Sequence, residues 1–511
     1  MKTTIRKALA SRKRQIKRRL DKAKLGDCSQ PMFTARNIDY DLAERGRGLA
    51  YGGIGLVHRL ARRIGLIDAI DQRLHVLKIH LPYHESDHVL NLAYNALCNG
   101  DCLQDLELRR NDAVFLDALG ARRIPDPTTA GDFCRRFTPA TIGHLQESFD
   151  DVRIGLWQQQ PPAFFERAVV DVDGTLVETT GQCKQGMDIA YNGVWGYHPL
   201  VVSLANTREV LRIVNRSGNR PSHEGAAAAL DQALATCFRG GFRQVLLRGD
   251  TDFSQTQHLD RWDDDPRIRF IFGYNAMANV VDMAEQLPEK AWKKLTRPPR
   301  WQAKTEPRQR PANVKDQVVR ARQFETLRLE GEEIAEFNYQ PSACRKVYRM
   351  VVVRKNISRE KGEARLFDEV RYFFYITNDW VSEVETIVLG EHGANGRCHQ
   401  ENLIQQLQSG VYALTAPTDN LESNWAYMVM TGLAWNLKAW AALALPESGR
   451  WQEKYRAEKL WLLGVEFKTF VNALVAIPCQ LVRQARRLIF RVLNYQPHHA
   501  VFFRLVDALR C

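Results

Sequence analysis

Val170-Asp171-Val172-Asp173-Gly174-Thr175-Leu176-Val177 reads VDVDGTLV, an apolar run interrupted by two aspartates and closed by a glycine. As a strand it puts Asp171 and Asp173 on one face and Val170 and Val172 on the other. Such a strand end supports two chemistries. An aspartate there can attack phosphorus and carry a covalent phosphoryl group, or it can hold a divalent cation beside a phosphodiester. The motif alone does not choose between them; the elements around it do.

The first chemistry is that of the haloacid-dehalogenase-type phosphatases, whose D-x-D-G-T strand leads towards a helix in a parallel α/β sheet. Here the chain continues instead into Tyr197–Leu204 (YHPLVVSL), a polar turn Ala205-Asn206-Thr207-Arg208, and Glu209–Asn215 (EVLRIVN). Two β-rich runs about a tight turn predict an antiparallel hairpin. A helix is expected only afterwards, over Ser222–Phe238, with Ser222 as N-cap and an Ala-rich body. A buried-type strand, Gln244–Arg248 (QVLLR), then ends at Gly249-Asp250. The phosphatase's late acidic motif is missing, because Ser254 and Gln255 stand where its second Asp is needed. Three antiparallel strands, a helix and a strand ending in Asp follow the order of an RNase H-like core.

Phosphodiester chemistry by two cations needs carboxylates gathered from separate elements around ions ~4 Å apart. Asp173 and Asp250 qualify if their strands are neighbours. Asp171 reads either as part of that site or as structural, and Asp252 as support behind the ligands or as a helix N-cap. The third carboxylate comes later. Asn395–Leu407 (NGRCHQENLIQQL) reads as a helix start with Leu403, Ile404 and Leu407 facing inward. Arg397 and Glu401 share a face one turn apart, which in isolation would read as a surface ion pair.

Taken together, DVDGT, LLRGDTDF and NGRCHQENLIQQL resemble the DDE transposases of bacterial insertion sequences, specifically insertion-sequence family 1380. The resemblance runs nearly the length of the chain, through GGIGLVHRLARRIGL, PTTAGDFCRRF, NWAYMVMTGLAWNLKAW and IPCQLVRQARRLIFRV. It implies that Asp173, Asp250 and Glu401 are the catalytic, metal-binding triad, holding two Mg²⁺ (or Mn²⁺) ions. It implies Arg397 as a phosphate contact, and double-stranded DNA, both terminal inverted repeats and target, as partner to a homodimer. Related enzymes often carry a Tyr three residues before that Arg and a Lys seven after the Glu; Ala394 and Gln408 stand there.

The rest of the chain is consistent with a polyanion partner. It has 511 residues and 72 Lys+Arg against 59 Asp+Glu, a net charge of +13. Ten scattered cysteines point to a reducing compartment and exclude a disulfide framework or zinc ribbon. Met1–Lys24 holds eleven Lys/Arg and one Asp and lacks an apolar secretory core. It reads as a basic amphipathic arm, with Arg12, Lys13, Arg14, Lys17 and Arg18 as DNA contacts, or else as a solvated tail. Trp425–Leu445 is apolar but interrupted by Asn436 and Lys438, which suits a buried helix better than a membrane span. The expectation is a cytoplasmic, nucleoid-associated bacterial protein without membrane contact. His84-Glu85-Ser86-Asp87-His88 matches H-E-x-x-H, but Pro82, Ser86 and Asp87 mark a helix start rather than a mid-helix zinc site. Lys293–Arg322 is basic and Pro-rich, with Trp292 and Trp301 interleaved and Arg300 as a candidate DNA contact.

The fold expected is α/β (α+β): an RNase H-like mixed-sheet catalytic core interrupted by a mainly β insertion, with an α-helical N-terminal domain and a helical C-terminal region. The boundaries run 1–50 for a basic arm, 51–160 for a helical DNA-binding domain, and 165–275 for the first part of the core. They continue with 276–380 for the β-rich basic insertion, 381–445 for the second part of the core, and 446–511 for the C-terminal region. Within the insertion, Tyr348–Lys355 and Tyr372–Thr377 read as strands. The activity expected is cut-and-paste transposition: end cleavage, then joining of 3′-hydroxyl ends to target DNA. A stand-alone RNase H-like nuclease and a non-catalytic, transposase-derived DNA-binding protein are the alternatives.

Overall fold

Arg167–Gly174 (β1), the strand that contains the two aspartates, lies inside a nine-stranded sheet of the computed structural model, which describes residues 2–21, 46–297, 313–484 and 487–510. Around it lie Leu200–Leu204 (β2), Glu209–Val214 (β3), Gln244–Gly249 (β4) and Ile268–Tyr274 (β5), in the spatial order β3-β2-β1-β4-β5. β2 runs antiparallel to both β1 and β3, whereas β4 is parallel to β1 and to β5. The expected hairpin is present, with Arg208 in its turn at φ 59. A parallel strand needs a crossover, and the helix Ala226–Gly240 provides it between β3 and β4.

Beyond β5 the sheet continues through Lys293–Lys294 (β6), Glu325–Tyr339 (β7), Tyr348–Lys361 (β8) and Ala364–Thr377 (β9). β9 pairs with β5 from Phe374↔Tyr274 to Thr377↔Ile271, so the β insertion extends the core sheet itself. β7 was not among the expected strands. Its text, ETLRLEGEEIAEFNY, is heavily charged, and a bulge between Leu329 and Gly331 breaks the alternation that marks a strand.

The helices that matter for the site are Thr3–Asp21 (α1), Glu85–Leu97 (α2), Pro139–Trp157 (α3), Ala226–Gly240 (α4), Val384–Leu389 (α5), Cys398–Gln405 (α6) and Leu421–Leu443 (α7). α4 begins at Gly225 and not at Ser222. The cause is Arg216, whose Nη1 donates to the carbonyls of Pro221, Ser222 and Glu224 and keeps those residues in a turn. The C-terminal region also departs from the expected all-helical text. Cys479–Gln484 (β10) and Arg487–Val492 (β11) form a hairpin, joined at its edge by Gly48–Leu49 from the segment read as basic arm. Cross-strand apolar pairs, Leu481 with Phe490 and Val482 with Ile489, favour the strand over the helix here.

β3 ends the sheet, and an open sheet edge is a hazard that proteins cover. Here α7 and α3 stitch it. Asn436 accepts from Val210 N at 2.9 Å and donates to Val210 O at 3.0 Å, and Gln146 accepts from Ile213 N. Lys438 donates to Leu463 O and lies over the Trp435 ring. The two polar residues that interrupted the apolar run 425–445 thus hold a buried helix in place, and among the described residues no helix is long and apolar enough to cross a membrane. Beside them, buried Asp150 pairs with Arg212, and buried Glu209 accepts from the indoles of Trp157 and Trp440.

Candidate active site

The two strand ends in question are neighbours. β1 and β4 pair in parallel up to Asp171↔Arg248, so Asp173 and Asp250 leave the sheet at the same edge and on the same face. Gly174 N donates to Asp173 Oδ1 at 2.8 Å, and Asp252 N donates to Asp250 Oδ1 at 3.0 Å. Asp250 therefore caps the short 3₁₀ turn Thr251–Phe253, and Asp252 supplies that turn's backbone donor. Gly174 has no room for a side chain, since a Cβ would stand 2.8 Å from His198 Nε2 and 3.3 Å from Arg216 Nη2. That crowding explains the glycine after the second aspartate.

α6 brings the third carboxylate. Its inner face, Leu403 and Ile404, joins the core, and Gln400 donates to Val201 O at 2.9 Å while also bonding Ser203. The strand β2 thereby sets the helix beside β1. Arg397, at the start of α6, reaches Asp173 Oδ2 at 3.1 Å and Glu401 Oε1 at 3.8 Å. Glu401 itself is 63 % exposed, so its contact with Arg397 is weakened by solvent.

Electrostatics mark this corner. Burial pushes the Asp173 carboxyl up to about 6; Arg397 opposes the rise, and the charges of Asp250 and Glu401 add to it. Asp250 is raised too, again by burial first, against Arg397 and the Asp252 amide and with the charges of Asp252 and Glu401. Three carboxylates therefore crowd around one guanidinium. Such an all-oxygen donor set suits hard divalent cations. Among the described residues, the one Asp/Glu/His/Cys trio whose ligand atoms all fall within 4.8 Å is Asp101, Cys102 and Asp105, so the site's oxygens are more widely spread than that. The Asp101 group is a turn cap, with Asp105 Oδ2 accepting from Asp101 N and Cys102 N.

Asp171 does not face the carboxylate cluster as a free ligand. It is 1 % exposed and takes a two-pronged bond from Arg248, Nε at 2.7 Å and Nη2 at 2.8 Å. Arg248 Nη1 donates onward to Gly393 O at 2.9 Å, and a Cβ on Gly396 would lie 2.4 Å from that same nitrogen. One guanidinium so ties β1, β4 and the turn that delivers Arg397 and Glu401. Sequence reasoning missed Arg248, Gln400 and Arg216, because each acts through a partner far away in the chain.

At the two positions where related enzymes often differ, Ala394 packs with Tyr375 against the cluster of Val169, Leu246 and Ile387, and Gln408 donates to Thr175 Oγ1 at 2.9 Å. Tyr375 lies within reach of the Arg397 charge, although burial dominates and raises its phenol. On the arm, Lys13, Arg14, Lys17 and Arg18 are exposed, but Arg12 is engaged: its Nη1 donates to Val492 O and Asn494 O at 3.0 and 3.1 Å. Arg300 and Trp301 lie outside the described residues. The H-E-x-x-H match dissolves into a helix start. His84 caps α2, Glu85 accepts from Val76 N and Leu77 N, and His88 stacks on Phe133.

The model of one family, transposase DDE domain group 1, matches residues 40–511. No curated protein matches the chain. Among solved structures, the cryo-EM structure of the piggyBac transposase synaptic complex with hairpin DNA is similar at 10% identity and a TM-score of 0.35, covering 84% of each chain. With a family match across nearly its whole length, the chain belongs to the DDE transposases of domain group 1.

Proposed function

We propose that this protein is a cut-and-paste DNA transposase in which Asp173, Asp250 and Glu401 hold two Mg²⁺ or Mn²⁺ ions, and that it belongs with insertion-sequence family 1380. The observation that carries this reading is the convergence of Asp173 and Asp250 at one sheet edge, both raised first by burial, with Arg397 bonding Asp173 and Glu401 beside them. The strand order β3-β2-β1-β4-β5 supports an RNase H-like core for it. When bound, the two ions supply activation of the attacking oxygen and stabilisation of the leaving one.

The chain's own residues do the rest. Asp173 on β1, Asp250 at the end of β4 and Glu401 on α6 would together hold the ions. Arg397 would be released to the DNA phosphate where Asp173 and Glu401 hold cations, and its planar fork suits that ligand. Asp171 and Arg248 stay paired beneath and hold the α6 turn in register. The exposed Lys13, Arg14, Lys17 and Arg18 follow the backbone of the end DNA, the 51–160 region reads the terminal inverted repeats, and Arg300 and the basic loop add phosphate contacts. Two copies pair two ends, in the nucleoid of a bacterial cell.

Incubation of the protein with duplexes ending in the native element repeats, plus Mg²⁺ and target DNA, tests the reading on a denaturing gel. A new 3′-hydroxyl at the element end followed by joined products is expected. Cleavage without joining would mean a stand-alone nuclease, and tight end binding without either would mean a non-catalytic derivative.

A further inference from the structure

Exposed arginines fall into two groups in this structure. On β7, β8 and β9 every arginine meets a carboxylate: Arg328 and Glu360, Arg349 and Glu336, Arg354 and Glu289, Arg365 and Asp368, with Glu369 taking both Arg359 and Arg371. That ribbon therefore offers little free positive charge to a partner. Where the two ends of the chain meet, the opposite holds. Gly48–Leu49 pairs with β10 and β10 with β11, so segments near both termini share one small sheet. Arg12 of α1 donates to Val492 O and Asn494 O at the outer edge of β11. The segment leading into the helix Ile54–Arg63 packs under the same hairpin. A Cβ on Gly52 would meet Cys479 Sγ, and one on Gly55 would meet the Phe490 ring. Those two contacts step from the base of the hairpin towards its tip, where Gln484 faces Arg487. The helix thus carries Arg59, Arg62 and Arg63 onward in the direction of Arg487.

On β11, Arg487 and Arg491 share the face opposite Phe490, and both are exposed. Arg59, Arg62 and Arg63 are exposed as well, and none of the five bonds a carboxylate among the described residues. Asp117, the acid that does reach the hairpin, is already shared by Arg47 and Arg483. Five guanidinium groups without a counter-charge, beside the exposed cations of α1, repel one another until a polyanion arrives. Duplex DNA supplies closely spaced phosphates, and their planar match to guanidinium favours it over carboxylates scattered on a protein. We propose that the C-terminal hairpin, the helix Ile54–Arg63 and α1 form one continuous grip on the duplex backbone. Arg487 and Arg491 contact phosphate, and Arg12 sets the arm against the hairpin. This surface takes its partner from the transposase reading above and gives the C-terminal region a part in it.

The full chain is titrated against a fluorescent random-sequence duplex at stepped KCl, and affinity is read from anisotropy. Joint Arg487→Ala and Arg491→Ala replacement makes the slope of log affinity against log salt shallower by about 1.8, about 0.9 for each lost contact. It weakens random and element-end DNA alike, with the melting temperature of the protein unchanged. Should that variant fail to fold, joint Arg59→Ala and Arg63→Ala, on the exposed side of a helix, gives the same shallower slope. Arg371→Ala, taken from the neutralised ribbon, leaves the slope where it is. An unchanged slope in the folded hairpin and helix variants, or an equal change with Arg371→Ala, overturns the proposal. Tighter binding of single-stranded RNA than of duplex DNA overturns it too. End cleavage with Mg²⁺ is scored separately. Cleavage with an unchanged slope sinks this surface alone, whereas a shallower slope in a protein that never cleaves sinks the transposase reading and leaves the surface standing.

Discussion

At position 248 an arginine stands 2 % exposed in a strand whose neighbours are valine and leucine, a place where arginine is rare unless paired. Its partner Asp171 was visible in the sequence as one of two aspartates on a strand face, but not its role. The pairing joins strands 77 residues apart, and no local pattern encodes that. Asp173, Asp250 and Glu401, the carboxylates proposed for the site, stood out for the opposite reason, since each sits in a short motif whose spacing is visible without knowledge of the fold. Arg248→Met leaves the Asp171 carboxylate buried and unpaired, and should cost about 3–5 kcal/mol in urea unfolding. Adding Asp171→Leu to it should recover most of that loss, because two apolar groups replace the ion pair. Arg397→Ala removes the 3.1 Å bond to Asp173 together with the contact to exposed Glu401, and should weaken the protein–end complex in a gel-shift titration.

Elements whose apolar periodicity is clean were readable, and those governed by a distant contact were not. The hairpin β2–β3 and strand β4 followed from alternation and turn chemistry. α4 starts three residues late because Arg216 captures the carbonyls before it, and β7 was hidden by its charges and its bulge. The edge of β3 depends on Asn436, whose one side chain serves both backbone groups of Val210. Asn436→Leu should therefore destabilise by about 1–3 kcal/mol, because Val210 N loses its partner while Arg153 still donates to Val210 O, read from thermal or urea unfolding. α1 has no buried residue, and beside Arg12, which bonds Val492 O and Asn494 O, it presents the exposed charges of Lys13, Arg14, Lys17 and Arg18. Deleting Met1–Lys24 should weaken binding to specific and random DNA alike and flatten the salt dependence by about 0.9 log unit per lost phosphate contact. An unchanged slope in a salt titration would reduce the arm to a solvated tail.

Across the whole molecule, burial decides the response to acid. His88, stacked on Phe133, is pushed down to about 4 by burial, and fully buried His499 is likewise held at about 4. Unfolding returns each to the ordinary histidine value near 6.5. Below that pH the unfolded chain binds more protons, so stability is complete above about pH 6.5 and is lost as pH falls towards 4. Each histidine should contribute up to about 1.4 kcal/mol of loss per pH unit in that window. Urea unfolding at stepped pH checks it, and His88→Phe should make the decline shallower. On the proposed reading, function depends on a different balance, three carboxylates that repel one another until cations arrive. The most direct measurement is Mg²⁺-dependent cleavage of a labelled element end by single alanine variants, resolved on a denaturing gel beside their end-DNA binding. Asp173→Ala, Asp250→Ala and Glu401→Ala should each abolish cleavage while binding stays at or slightly above the wild-type level, and Glu391→Ala and Glu385→Ala should cleave normally. Full cleavage by Glu401→Ala with loss in Glu391→Ala or Glu385→Ala would contradict the assigned site.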